Sequence, residues 1–428
     1  MRKLILALSI VVSCQLHAQQ SLSKQEQKII DLVNARIPQN LELLKNLVNT
    51  NSGTLNISGV KQVGAQLRSE FDKIGFTTEW INLPDSLKRA GHLVAYRKGK
   101  KGKKIFLIGH LDTVFEPDMP ANPYHLLNDS TATGQGVNDM KGGDVIIVAA
   151  LQALEELGLL KNTSITAYFT GDEENAGRPD SISRSDFIRR ARQHEIALAY
   201  EGAQGLNTVT TARRGASNWQ LKVYGRQAHS SGIFKDGYGA IYEAARIINA
   251  FREQLGSEQY LTFNPGLIAG GSDLNYDSAN IRATIIGKTN IISPAAAVQG
   301  DLRFLRETQK DSARMKMMAI ATTNNLPETR AVFTYSDGIP SMEPTPGNNQ
   351  LADKVSDISI ALGWGPTVAG DPGSRGAGDI SYIGKYLDCI DGLGAMGHGS
   401  HAPGETIDLN TFPKLVQRTA LLIYRLTR

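Results

Sequence analysis

The stretch that decides the fold is residues 105–114, IFLIGHLDTV, an apolar run that ends abruptly at His110 and is followed by Asp112. The same construction recurs at residues 164–174 (SITAYFTGDEE) and 196–201 (IALAYE). Open parallel sheets carry their functional groups just past the carboxyl ends of their strands. Three strand-like runs that end in metal-ligand residue types therefore predict an α/β fold with a metal site at one sheet edge.

The bulk composition indicates a soluble globular chain of about two domains. The sequence has 428 residues, of which 41% are hydrophobic and 21% are charged, and its formal net charge is only +4. A chain of this length exceeds one ordinary core. The basic residues form no dominant block, so the composition argues against nucleic-acid binding.

The first 20 residues have the plan of an export signal. Arg2 and Lys3 precede the apolar run LILALSIVV, and the small residue Ala18 closes the segment. Cleavage after Ala18 is the favoured interpretation, but VVSC also resembles a lipoprotein box, which would leave Cys14 acylated. Residues 1–20 are therefore predicted to be a signal peptide of a secreted or periplasmic protein. No later stretch supplies the ~20 apolar residues of a membrane span.

The pattern of helices and strands predicts one domain interrupted by another. The pattern in residues 21–212 is typical of an α/β domain. A capping box at Ser23 and Glu26 starts the first helix, and a later helix at 144–157 ends before Gly158. Strands are predicted at 77–82, 92–97, 105–109, 164–170 and 196–200. The alternation of helices and strands resumes in residues 339–428, with a helix at 350–362 and short strands near 387–393. These two parts are predicted to form one catalytic domain with a mainly parallel sheet.

The intervening residues 213–338 are predicted to form a smaller α+β domain. The segment WQLKVY at 219–224 alternates apolar and polar residues, as a half-exposed strand does. Further strands at 266–270, 281–288, 297–304 and 330–335 accompany helices at 239–254 and 308–324. This order fits a four-stranded sheet covered on one face by two helices.

The candidate metal ligands lie at strand ends or in glycine-rich loops; they are His110, Asp139, Glu174, Glu201 and His401. Imidazole and carboxylate together suit zinc or a similar divalent ion. Without metal, each pair of carboxylates about 5 Å apart would repel by roughly 3 kcal/mol at an effective dielectric constant near 20. Two divalent ions would balance three carboxylates and one bridging hydroxide, so the sequence predicts a two-metal centre.

Roles within this centre can be proposed from the spacing. Asp139 could bridge both ions, with His110 and Glu201 on one and Glu174 and His401 on the other, although the assignment of the terminal ligands stays open. Asp112, two residues after His110, could accept the free ring N–H of that histidine and fix its tautomer. Glu173 remains beside a ligand and could act as the general base on an attacking water.

Each of these residues also has a structural interpretation. A histidine at a strand end, a pair of glutamates in a turn and an aspartate before a helix are individually more often structural than functional. Their combination after buried runs and within glycine loops favours the metal site.

The motifs GHLDTV, GVNDMKGG, TGDEE, YEG and GHGSHAPGE resemble, in this order, those of the aminoacylase and glutamate carboxypeptidase family of two-zinc metallopeptidases, from about residue 25 onwards. The resemblance implies zinc, with cobalt or manganese possible, on His110, Asp139, Glu174, Glu201 and His401. It implies Asp112 as the supporting acid and Glu173 as the general base. It also implies a cis peptide after Asp139.

The resemblance also implies substrate contacts and a dimer. Residues 213–335 match the family's inserted lid, and His229 in GRQAHSS is implied to reach the active site of a partner subunit and polarise the scissile carbonyl. Asn290, Arg303 and Arg375 resemble substrate-facing positions, and an arginine can bind an α-carboxylate through two hydrogen bonds. TNIISP departs from the family form by its serine before Pro294, and GSRGAGD departs from the usual glycine-rich loop.

These features together predict an exported two-zinc hydrolase that cleaves an amide bond, most simply a carboxypeptidase acting on small peptides or acyl-amino acids as a homodimer through the lid. Two alternatives remain open. One is an N-acyl-amino-acid deacylase or desuccinylase of the same family, and the other is a metal-free relative that only binds.

Overall fold

The computed structural model describes residues 21–428. The predicted signal peptide, with Ala18 and Cys14, lies outside the described residues. None of the helices within 21–428 combines the length and apolar character needed to cross a membrane.

The structure contains helices and strands of both predicted parts. The helices are α1 Lys24–Val48, α2 Ile57–Lys73, α3 Lys141–Glu156, α4 Asp180–Ser183, α5 Ser185–Ala191, α6 Gly239–Leu255, α7 Glu307–Thr322, α8 Pro346–Ala361 and α9 Phe412–Leu426. The strands are β1 Thr77–Ile81, β2 His92–Arg97, β3 Lys101–His110, β4 His125–Asn128, β5 Thr131–Thr133, β6 Thr163–Thr170, β7 Ile196–Ala199, β8 Thr208–Val209, β9 Gly215–Gly225, β10 Thr262–Gly271, β11 Asp273–Asp277, β12 Arg282–Ile286, β13 Ala295–Phe304, β14 Thr329–Asp337, β15 Val368–Ala369, β16 Asp388–Ile390, β17 Gly397–His398 and β18 Thr406–Asp408.

The main sheet has six strands in the order β1-β2-β6-β3-β7-β16. Strands β6, β3, β7 and β16 are parallel, whereas β1 and β2 join antiparallel at one edge, so the sheet is mixed. The predictions of an α/β fold and a mainly parallel sheet are confirmed, with β2 as the one strand of this sheet, within the described residues, that runs in the opposite direction.

The apolar run of β3 is continuous because both faces of the strand are buried. Ile105 and Leu107 pack into one core cluster with α1, α2, α3 and α9. Phe106 and Ile108 point the other way, into a second cluster with Phe187 of α5. Successive strand side chains alternate between faces, so a strand covered on both sides needs an apolar residue at every position.

Helix α3 begins three residues before its predicted start at residue 144. Its first turn contains Gly143, where an added Cβ would lie 2.1 Å from the carbonyl oxygen of Tyr200. The glycine therefore lets the helix begin directly against the end of β7. Gly158 follows the helix with a φ of 66°, the left-handed conformation expected of a C-terminal glycine.

The predicted small domain contains a four-stranded antiparallel sheet in the order β10-β13-β9-β14. Helices α6 and α7 share a separate hydrophobic cluster with this sheet, built around Trp219, Phe251 and Phe333. The predicted strand 281–288 does not join the sheet. It forms β12, which pairs with β11 in a separate hairpin, because an apolar alternation does not specify which partner a strand will find.

Further elements extend or differ from the sequence predictions. The first helix, α1, runs unbroken to Val48 and continues through the exposed Pro38, because Ile29, Val33 and Leu44 anchor both halves in the core. Helix α8 begins at Pro346, four residues before its predicted start at residue 350, since proline is well tolerated in a first turn. Helix α9 and the small sheet β17-β18-β5-β4 were not predicted.

Candidate metal centre

The parallel strands bring the predicted site residues to one edge of the main sheet. In the register of β3 and β6, His110 is paired with Thr170, so the turn that carries Glu173 and Glu174 begins beside the histidine. Strand β7 pairs with β3 on its other side, and Glu201 follows it two residues later. The turn before α3 supplies Asp139. The segment between β17 and β18 supplies His401, which has a left-handed φ of 67°.

The five predicted ligands form two groups that share Asp139. On one side, His110 Nε2 lies 3.3 Å from Asp139 Oδ1 and 3.6 Å from Glu201 Oε1. On the other side, His401 Nε2 lies 3.2 Å from Asp139 Oδ2 and 3.1 Å from Glu174 Oε2. Within each group the ligand atoms lie within 4.8 Å of one another. The grouping agrees with the predicted division of ligands; that these atoms bind metal stays a prediction.

The polar atoms of this cluster fit a pair of cations. His110 Nε2 and Glu174 Oε1 are buried and have no hydrogen-bond partner among residues 21–428. Burying such groups without a partner costs free energy. Each has a lone pair that it could donate to a bound cation, His110 in one ligand group and Glu174 in the other.

The pKa values of the cluster show the same need for positive charge. Burial, followed by the charge of Asp139, raises the pKa of Glu201 to about 7. Hydrogen bonds to Asp139 and Glu174 raise the pKa of His401 to about 11. Burial would also raise the pKa of Asp139, but the adjacent imidazoles of His110 and His401 outweigh it and lower that pKa. In the absence of metal, protons on His401 and Glu201 therefore offset part of the negative charge of the cluster.

Asp112 holds the turn of the two glutamates rather than the ring of His110. Its carboxylate accepts hydrogen bonds from the backbone N–H of Glu173 at 3.0 Å, the N–H of Glu174 at 3.1 Å and the hydroxyl of Thr54 at 2.7 Å. The ring Nδ1 of His110 lies 3.0 Å from the backbone carbonyl of Asp112 and 3.6 Å from its carboxylate. Strand β3 ends at His110, so the predicted same-side spacing of a continuing strand does not apply.

Glu405 fixes the loop of Asp139, a role that the sequence did not reveal. This fully buried carboxylate accepts hydrogen bonds from the N–H groups of Gly136 at 3.2 Å and of Asn138 and Asp139 at 2.7 Å each. Burial raises its pKa to about 7. The Asp139–Met140 peptide is cis, as the family resemblance implied. Glu405 is the last residue of the motif GHGSHAPGE, and this position in the motif was the one sequence feature that could have indicated its role.

Two arginines lie beside the ligands. Arg375, a predicted substrate contact, donates from Nη1 to the carbonyl of Gly202 at 3.2 Å, and its Nε has no hydrogen-bond partner within the described chain. Arg213, which the sequence did not single out, is buried and ion-paired with Asp391 at 2.9 Å.

The structure does not bring the three lid residues into this cluster by any hydrogen bond or ion pair found within residues 21–428. The exposed ring of His229 contacts Ser231 through Nδ1 at 2.8 Å. The backbone carbonyl of Asn290 accepts from Ser230 at 3.0 Å. Arg303 donates to Asp301 on its own strand at 2.8 Å. Their predicted roles depend on a partner subunit or on substrate.

Comparison with known proteins identifies the family. Residues 106–425 match the model of peptidase family M20/M25/M40. The chain belongs to this family. It is 26% identical over 392 residues to carboxypeptidase G2 of Pseudomonas sp. (strain RS-16), covering 90% of this chain and 89% of that protein. It is 24% identical over 331 residues to succinyl-diaminopimelate desuccinylase of Gluconobacter oxydans, covering 75% of this chain and 81% of that protein.

Solved structures of the family share this fold. Aminopeptidase PepT of Bacillus cereus aligns with a TM-score of 0.74 at 18% identity, over 92% of this chain and 99% of that chain. The YXEP protein of Bacillus subtilis, a dinuclear metal-binding peptidase of the M20 family, aligns with a TM-score of 0.64 at 14% identity, with the same coverage of 92% and 99%. The predicted family resemblance is therefore confirmed, and this M20-family protein is a metallohydrolase of the peptidase and amidohydrolase type.

Proposed function

We propose that this protein is a carboxypeptidase with two divalent metal ions, which releases the C-terminal amino acid from a small peptide or an acyl-amino acid. The observation that carries the proposal is the sharing of Asp139 between two histidine–glutamate groups, with Glu173 held beside them. The ligands are nitrogen and oxygen atoms only, which suits zinc and also admits cobalt or manganese.

When bound, the two ions would lower the pKa of a water molecule and polarise the scissile carbonyl group. The chain positions the groups that move protons. Glu173 is fixed at its backbone by Asp112, and burial together with the charge of Glu201 raises the pKa of Glu173 well above the usual value. A carboxylate with this raised proton affinity is suited to take the proton of the attacking water and deliver it to the leaving amine.

Arg375 is the proposed contact for the α-carboxylate of the leaving amino acid. Its guanidinium group is anchored at one nitrogen to the carbonyl of Gly202, next to Glu201, and its Nε has no hydrogen-bond partner in the described part of the chain. The similarity to a carboxypeptidase along 90% of the chain favours a substrate of this type. An Arg375→Met variant should raise KM for an acyl-glutamate and leave KM for its α-amide nearly unchanged, as measured by steady-state kinetics.

An N-acyl-amino-acid deacylase is the second candidate, because a desuccinylase is also among the relatives. The two functions differ only in the group on the carbonyl side of the bond. Parallel measurement of kcat/KM for dipeptides, succinyl-amino acids and aryl-carbonyl glutamates would separate them.

The experiment that tests the proposal starts from protein stripped of metal. Two equivalents of zinc, cobalt or manganese are then added, and hydrolysis of the three substrate classes is followed together with bound metal. Activity should appear only when both sites are filled. Protein that takes up no metal under these conditions and hydrolyses none of these substrates would support the metal-free, binding-only alternative instead.

The proposal includes a homodimer in which His229 completes the partner's site. A His229→Ala protein and a Glu173→Ala protein, each inactive alone, should regain activity when mixed, because one mixed site would carry both intact residues. Absence of recovery in a sample shown by sedimentation to contain mixed dimers would contradict a role in trans.

Export would be tested by mass spectrometry of the mature protein, with cleavage after Ala18 expected and an acylated Cys14 as the contrary result.

A further inference from the structure

A buried ion cluster that the proposed chemistry does not use lies behind the turn of the two glutamates. Arg184 is 1% exposed and donates from Nη1 to Asp172 at 2.5 Å and from Nε to Asp379 at 2.8 Å. Its Nη2 also donates to the backbone carbonyl of Asp172 at 3.0 Å. A guanidinium group presents its donors in a rigid planar fork, so this residue fixes the two aspartates relative to each other.

A neutral histidine closes the cluster on the side of β2. The Nδ1 atom of His92 accepts the N–H of Gly171 at 3.2 Å, and its Nε2 lies 3.0 Å from the carbonyl oxygen of Ser183, to which it donates. Only the neutral ring with its proton on Nε2 makes both bonds. The ring therefore ties the start of the glutamate turn to the residue before Arg184.

The two aspartates belong to segments with different proposed tasks. Asp172 directly precedes the proposed general base Glu173, and its Oδ2 accepts from Gly177 at 2.8 Å across the turn. Asp379 lies four residues after Arg375, and its Oδ2 accepts from the hydroxyl of Thr170 at 2.5 Å, at the end of β6. The bonds of Arg184 and Thr170 thus cross from the turn of the base to the proposed substrate segment.

We propose that Arg184 and Asp379 are positioning residues that lock the general-base turn (residues 171–177) and the Arg375 segment (residues 372–379) into one rigid unit. This inference rests on the proposed function. Neither residue contacts the reacting atoms in this assignment; they set the distance between the group that removes a proton and the group that holds the substrate carboxylate. Such prealignment is worth a large factor in rate because small displacements of a catalytic group are costly.

A purely stabilising role is the alternative, since a buried charge that loses its partner destabilises any protein. Thr170→Val separates the two roles, because valine keeps the shape and removes only the bond to Asp379. Thr163→Val is the matched control: Thr163 is a buried threonine at the other end of β6, and its hydroxyl donates to the carbonyl of Leu160 at 2.7 Å, away from the site. Arg184→Lys is a second test, since lysine keeps the charge and loses the fork.

The variants are loaded with two equivalents of zinc and compared per metal-filled site. For Thr170→Val and Arg184→Lys we expect kcat to fall about 10- to 100-fold, the scale of moving a catalytic group by about 1 Å. The preference for an α-carboxylate over its amide should shrink in both variants. Thr163→Val should lose stability without either effect. Wild-type kinetics in both test variants, or an equal kinetic loss in the control, would overturn the inference.

Hydrogen–deuterium exchange decides the question independently of activity. Thr170→Val should raise exchange in residues 171–177 and also in residues 372–382, whereas Thr163→Val should raise it in neither segment. If exchange near Arg375 stays at the wild-type level, the two segments are not coupled and the inference fails. If the coupling is present but the wild-type enzyme hydrolyses no amide substrate, only the proposed function fails.

Discussion

Glu173 and Glu174 are neighbours in the sequence, yet their surroundings assign them different chemistry. Glu174 points to His401, and its second oxygen is buried without a partner within the described residues. Glu173 makes no ion pair with either imidazole among the described contacts, and Asp112 holds its backbone. Burial and the charge of Glu201 raise the pKa of Glu173 well above its usual value. The pair therefore combines one proposed ligand with one proposed base.

This difference predicts opposite effects of two isosteric substitutions. Glu173→Gln should retain two metal ions and lose turnover by about 10²- to 10⁴-fold, the usual contribution of general acid–base catalysis. Glu174→Gln should lose metal affinity first. Bound metal measured by atomic emission, alongside kcat, checks both. Loss of metal in the Glu173 variant would mean that the two roles are exchanged.

Proton release on metal binding is a second prediction at the scale of residues. The pKa of His401 is raised to about 11 by its bonds to Asp139 and Glu174, and that of Glu201 is raised to about 7 by burial. Metal can bind only when these groups are deprotonated, so apparent affinity should rise with pH. Above about pH 7 the Glu201 proton is already lost, and fewer protons should be released per ion. Calorimetry in buffers of different ionisation enthalpy counts these protons; a pH-independent affinity would contradict the assignment.

The residue types of the site could be predicted from the sequence because each lies at the end of an apolar run or in a glycine loop. The supporting residues could not. Arg184 lies outside every motif, and its two aspartates are distant from each other in the chain, so only the fold reveals the cluster. Asp112 was predicted beside His110, but the hydrogen bonds of its carboxylate to the turn of the two glutamates were not, because they depend on where β3 ends.

At the scale of elements, the buried strands were the predictable part. Residues 105–110 of β3, most of β6 and all of β7 are buried, so these stretches are largely apolar and their C-terminal ends can be recognised in the sequence. Strand partners were less predictable. Strand β12 has the alternation of a sheet strand but pairs with β11, and β2 runs antiparallel to both of its neighbours, β1 and β6, since neither register nor direction is encoded in local pattern.

The capping box of α1 gives a prediction for a single element. The hydroxyl of Ser23 accepts the N–H of Glu26 at 3.2 Å, and the Glu26 carboxylate accepts the N–H of Ser23 at 2.8 Å. Ser23→Ala should lower the free energy of unfolding by about 1 kcal/mol, as measured by urea denaturation. The exposed Ser21→Ala is the control and should change little. Equal losses in both variants would show that the cap contributes no specific stability.

At the scale of the whole molecule, the proposed ligands come from segments spread between residues 110 and 401. A metal pair would therefore cross-link distant parts of the chain in the folded state only. The hydrophobic cluster of α6, α7 and the four-stranded sheet is separate from the two clusters that flank the main sheet, and none of the proposed metal ligands belongs to it. The two regions should respond differently to metal.

Metal removal should accordingly destabilise one region selectively. Binding to the native state alone adds about 2.7 kcal/mol per site when free metal exceeds the dissociation constant about 100-fold. Chelation should therefore lower the midpoint of thermal unfolding and raise hydrogen exchange in β3 and α3, while β9 and β13 keep their protection. Glu174→Gln, which removes one proposed ligand, should show a smaller response to added zinc. Equal loss of protection in β13 and β3 would mean that the two clusters unfold as one cooperative unit. Only then would the free energy of metal binding also stabilise the cluster that contains no ligand.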